Sequence, residues 1–111
     1  MSLRRPNWKN SAPLFAALGD ETRLGLVGRL CAAGPMSIAR LADGSDVTRQ
    51  AITKHLHVLS DAGLVTGSRQ GREQIWELSP KRLADARRHL DEISTQWDAA
   101  LNRLKTLVES E

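Results

Sequence analysis

Apolar positions along this chain recur mostly at spacings of three and four, switch to a spacing near two between residues 64 and 78, and then return to three and four. That succession of periods predicts helices, then a short β ribbon, then one more helix. The first helix is read from the run Pro13 to Leu18, opened by a proline that suits a first turn and ended by Gly19. Asp20 caps a second helix whose buried face is Leu24, Val27, Leu30 and Cys31, and Gly34-Pro35 stops it. Gly25 and Gly28 weaken that helix by about 1 kcal/mol each relative to alanine, and they are expected to admit close approach of another helix. Ser37 caps a short third helix over 38–42, with Ile38, Leu41 and Ala42 inward, and Asp43-Gly44-Ser45-Asp46 turns the chain. Thr48 caps a helix over 49–61 that Ala62-Gly63 closes.

Residues 64–69 and 73–78 form β-like runs about Gln70-Gly71-Arg72, a hairpin in which Gly71 supplies the positive φ. Ser79, as a cap, and Pro80 open the last helix, about 80–108. Along it Leu83, Ala86, Leu90, Ile93, Trp97, Ala100, Leu104 and Leu107 follow at threes and fours, and so long a seam needs a partner. The candidates for pairing with a second copy of the chain are Trp8, Leu14, Phe15 and Leu18 near the start, and Leu90, Ile93, Trp97, Leu101 and Leu104 on the last helix.

The helix over 49–61 carries two stripes. Ile52, His55, Leu56 and Leu59 form one, which belongs to a core, while Gln50, Thr53, Lys54 and His57 form the other. A polar stripe can be a merely solvated face. Here it begins at a helix N-terminus, follows a short helix and a tight turn, and precedes a hairpin carrying Arg69 and Arg72. Glutamine can bond adenine through two hydrogen bonds, threonine offers a hydroxyl and a methyl, and lysine reaches guanine or phosphate. The arrangement predicts DNA binding, with this helix in a major groove and the hairpin arginines on the flanking backbone or in the minor groove.

Composition narrows the class. The 111 residues suit one domain, and no run approaches the roughly 20 apolar residues of a membrane span. The basic start MSLRRPNWKNSAPLF has no apolar stretch of signal-peptide length, so the expected location is cytoplasmic. A formal net charge of +3 permits a nucleic-acid partner. The single cysteine, Cys31, forms no internal disulfide and builds no thiolate metal site alone. His55, His57 and His89 join no constellation of nucleophile or paired carboxylates, so an enzyme is not expected. An interaction module holding a protein partner on the last helix, with the helix-turn-helix vestigial, is the alternative from another class.

Three segments carry a resemblance to a known family. "LGDETRLGLVGRL" resembles the opening helix signature of the ArsR-type (arsenical-repressor-like) winged helix-turn-helix transcriptional regulators, "VTRQAITKHLHVLSDAGLV" their recognition helix and its exit, and "RQGREQIWEL" their wing. The likeness covers about residues 13–108. It implies a mainly α fold of about five helices plus a two-stranded wing, in one domain over 1–111: helix-turn-helix about 37–62, wing about 64–78, dimerisation helix about 80–108. It further implies a homodimer that binds a palindromic operator in double-stranded DNA and represses transcription. The groove-facing positions fall on Thr48, Arg49, Gln50, Thr53, Lys54 and His57, and the wing positions on Arg69 and Arg72. Trp76 stands where the family often has another aromatic and is expected to pack the wing on the body.

Many such regulators sense metals, through ligands in the short third helix or in the last helix. The segment Ser37 to Asp43 has no cysteine pair, and His89-Leu-Asp-Glu92 supplies only half of the last-helix site, because Trp76 and Leu78 occupy the other half. No metal or cofactor is therefore expected, and the chain is similar to a metal-free subgroup. A zinc-responsive repressor of the same fold is the alternative, and an unidentified small-molecule effector is left open.

Overall fold

A computed structural model describes residues 8–110. Among them lie five helices and three strands in the order α1 (Trp8–Leu18), α2 (Glu21–Ala33), β1 (Met36–Ser37), α3 (Ile38–Ala42), α4 (Arg49–Asp61), β2 (Val65–Gln70), β3 (Glu73–Leu78) and α5 (Pro80–Glu109). This is the mainly helical winged helix-turn-helix expected.

The first helix starts earlier than its proline. α1 begins at Trp8, and Pro13 lies inside it. A proline there leaves the Lys9 carbonyl without its helical donor, which water can replace because Lys9 and Pro13 are both exposed. The turn ahead of the proline is held from outside, since Arg82 donates to the Asn10 carbonyl at 2.7 Å. The side chain of Trp8, one of the expected pairing residues, lies outside the described residues.

Asp20 caps α2 as read, its carboxylate accepting the Arg23 N–H at 2.9 Å. The buried face of α2 is Leu26, Val27 and Leu30, whereas Leu24 and Cys31, expected inside, are exposed. The apolar residues of this helix span more than one face, and contact with α1, α4 and β3 selects the narrower one. A Cβ placed on Gly25 or Gly28 would meet nothing within 4 Å among the described residues, so neither glycine admits a neighbouring helix there.

Ser37 caps α3 through the Arg40 N–H at 3.2 Å, and Thr48 caps α4 through the Ala51 N–H at 3.1 Å. The turn between them takes Gly44 at φ 72°, and α4 ends at Gly63 with φ 79°, a value that favours glycine. Arg29 pins α3 by donating to the carbonyls of Leu41 at 2.6 Å and Arg40 at 3.0 Å.

The wing is antiparallel, with Val65 opposite Leu78 and Gln70 opposite Glu73. Its loop is two residues rather than three, because Gln70 belongs to β2. Gly71 has φ 64° and Arg72 does not have positive φ, the pattern of a type II′ turn. A third strand joins the two expected: β1 pairs Met36 with Trp76 and Ser37 with Ile75, giving the order β1-β3-β2. Ser79 makes no side-chain cap; its N–H donates to the Leu64 carbonyl at 2.8 Å, which joins the start of α5 to the root of the wing.

Leu14, Leu41, Ile52, Leu56, Leu59 and Leu64 are the most deeply buried large side chains, so helices α1, α3 and α4 share one core. Leu14 thus fills the protomer's own core and offers no surface to a second copy. α5 has 30 residues, about 45 Å of helix. Its second half leaves the core, and the radius of gyration, 18.6 Å, exceeds the roughly 13 Å of a compact chain this long. No described helix is long and apolar enough to cross a membrane.

Candidate nucleic-acid interface

Two elements build the candidate site, α4 and the wing. Ile52, Leu56 and Leu59 anchor α4 in the core, which chooses the face that α4 buries and turns Arg49, Gln50, Lys54 and His57 to solvent. His55 sits at the margin, half-buried, with Nδ1 3.3 Å from an Arg23 guanidinium nitrogen and 3.8 Å from the Asp20 carboxylate. The capping carboxylate of Asp20 is held below its ordinary pKa, first by the hydrogen bond from the Arg23 N–H and further by the charge of Arg23.

Thr53 lies in the outward stripe but is half-buried, and its hydroxyl donates to the Arg49 carbonyl at 2.8 Å. The hydroxyl is therefore engaged inside the helix, which leaves the methyl to meet a base. Thr48 is exposed and uses its oxygen on the cap. The remaining first-turn N–H groups have no helical partner and suit a phosphate.

His57 stands where α4 meets the wing. Its ring meets the Trp76 indole edge-on, with centroids 5.9 Å apart and planes at 90°. Trp76 is buried, as its expected role of joining wing to body requires, and its indole nitrogen has no hydrogen-bond partner among the described residues.

Strand register sorts the wing's charges. Side chains alternate between faces, so Val65, Gly67 and Arg69 share one face with Leu78, Trp76 and Gln74, while Glu73 and Glu77 lie on the other with Gln70 and Thr66. Arg69 thus shares the side of the sheet that His57 touches, and the two acidic residues are turned away. Arg72 is exposed at the loop. Gln74 was missed in the sequence because glutamine has no strand signature. Its amide nitrogen lies over Gly67, 2.6 Å from where a Cβ would stand, beside Arg69.

The sequence also matches the family described as "Helix-turn-helix domain" over residues 18–68. It is 39% identical over 97 residues, 87% of each chain, to the HTH-type transcriptional regulator Rv2034 of Mycobacterium tuberculosis. To the arsenical resistance operon repressor of Escherichia coli it is 33% identical, across 86% of this chain and 79% of that one. An ArsR-like transcriptional regulator from Rhodococcus superposes with a TM-score of 0.73 at 37% identity, covering 90% of this chain and 93% of that one. The chain belongs to the ArsR-type helix-turn-helix transcriptional regulators. These are DNA-binding proteins and not enzymes, so the partner of this ArsR-type chain is DNA.

The half-site His89 and Glu92 lines a polar cleft between α1 and α5 with Asn10, Ser11, Arg82 and Asp85. The His89 ring packs against Phe15 with centroids 5.6 Å apart. Among the described residues no three His, Cys, Asp or Glu side chains come together as a metal site.

Proposed function

We propose that this ArsR-type regulator binds a palindromic operator as a homodimer and represses the adjacent promoter by occupying it. The observation that carries the reading is the apolar seam of α5. Leu90, Ile93, Trp97, Leu101 and Leu104 are all exposed in the single chain, Trp97 at 67%, on a helix that is otherwise strongly charged. A contiguous apolar stripe of this length in water calls for a cover, and a second α5 supplies a matching one. Phe15 and Leu18, partly buried at the edge of α1, extend the surface.

Pairing by a two-fold axis places two copies of α4 for major-groove segments about 34 Å apart. On each half-site Arg49, Gln50, Thr53, Lys54 and His57 face the groove from the start Thr48 provides, and Arg69 and Arg72 hold the flanking backbone. The protein then works in the cytoplasm, where its operator is. Selection of genomic fragments with purified protein, followed by the mass of the complex, tests this. Sites of dyad symmetry holding two chains are expected; one chain on an asymmetric half-site would refute the dimer.

A further inference from the structure

We infer that Arg82 and Arg23 act as positioning residues, a two-point clamp that fixes α4 on α1 and so sets the half-site spacing the protein accepts. The inference rests on the dimer reading above. Arg82 donates to the Asn10 carbonyl of α1 at 2.7 Å and to the Ala62 carbonyl at the end of α4 at 3.1 Å. Arg23 donates to the Ala17 carbonyl of α1 at 2.5 Å and approaches His55 Nδ1 of α4 at 3.3 Å.

The spacing of these contacts is the point. Asn10 to Ala17 on α1 and His55 to Ala62 on α4 span the same number of residues, two helical turns or about 10.5 Å. Asn10 pairs with Ala62 and Ala17 with His55, so the helices run antiparallel and are bolted near both ends. The buried stripe chooses the face of α4 but tolerates small shifts along and about the helix axis; two contacts separated by two turns limit both.

Each arginine is itself held. Asp85 accepts from Arg82 at 3.4 Å, the Arg82 stem passes 3.4 Å from where a Gly63 Cβ would stand, and the Ala62 carbonyl at the negative end of α4 favours the cation. Arg23 lies beside the carboxylate of Asp20 that caps its own helix. Arg82 belongs to α5 and Asn10 to α1, so the clamp ties the recognition helix to both helices that pair the protomers. Changing a spacer by one base pair rotates one half-site against the other by about 34°. A clamped α4 cannot follow that rotation.

The test measures binding to synthetic duplexes that carry the selected half-sites with the spacer native, one base pair longer or one shorter. Wild type is expected to prefer one spacer. Arg82→Lys keeps the charge but lacks the fork that spans two carbonyls. It should stay folded and dimeric by circular dichroism and sedimentation, while its preference falls roughly tenfold, as expected for one lost hydrogen bond to a charged group. Should Arg82→Lys fail to fold, Arg23→Lys carries the same measurement at the other contact. Variants that keep the wild-type spacer preference overturn the clamp alone. A wild type indifferent to spacing overturns the dimer reading and the clamp with it.

Discussion

Gly67 and Trp76 stand opposite each other across the wing, and the indole occupies the space that a side chain at position 67 would need. A Cβ on Gly67 would sit 3.1 Å from two ring carbons of Trp76, while the closer Gln74 amide is the end of a flexible chain and can move. The ring has less freedom, because it is buried and meets His57 of α4 edge-on. Gly67→Ala is therefore expected to destabilise the protein by about 1 to 3 kcal/mol, the range of an overpacked site. Denaturant unfolding measures this, and a Trp76→Phe background, with its smaller ring, should reduce the cost.

Base reading and phosphate binding separate by residue. Gln50, exposed on the groove-facing stripe, is expected to discriminate one base pair, so Gln50→Ala should flatten preference there by about 1 to 3 kcal/mol and leave other positions alone. Arg72→Ala at the wing tip should instead weaken all sequences alike and lower the slope of log affinity against log salt by about one. Titrations of an operator library at several salt concentrations read both. Unchanged discrimination would remove Gln50 from the readout, and an unchanged slope would remove Arg72 from the backbone.

Features encoded within a few residues were legible in the sequence. The caps Asp20, Ser37 and Thr48 each accept the N–H three positions on, and the closing Gly63 and the turn residue Gly71 each take positive φ at their own position. The faces of α4 were legible because its large apolar residues, the exposed Val58 apart, fit one stripe. On α2, Leu24, Leu26, Val27, Leu30 and Cys31 fit overlapping faces, and only the placement of neighbouring elements chooses among them. β1 is two residues long, too short to show a period. Arg23 and Arg82 reach partners distant in the chain, as His55 and Asn10 are, through side chains that leave no periodic trace.

Trp97 is the most exposed of the proposed pairing residues and lies midway along the seam, between Leu90 and Leu104. A buried aromatic near the centre of an interface typically contributes at least about 2 kcal/mol, so Trp97→Glu should raise the dimer dissociation constant roughly 30-fold or more. The chain should remain helical, because Trp97 is largely exposed in its own protomer. Sedimentation gives the dissociation constant and circular dichroism the fold. An unaltered dimer would place the interface elsewhere.

Asp20 ties stability to acid. Its carboxyl is held below the ordinary value of 3.8, mainly because the charged form accepts the Arg23 N–H at the start of α2. A depressed folded pKa means the folded state binds the proton less readily than the unfolded one. The stabilisation is therefore complete well above the ordinary value, and is lost as pH falls through that value and then through the lower folded one. Asp20→Asn keeps a good cap without the charge. The stability gap between wild type and Asp20→Asn should thus be constant from neutral pH down to about pH 5 and narrow below it. Denaturant midpoints across that range measure the gap, and a gap that widens in acid would mean that the carboxylate form is not the one the fold selects.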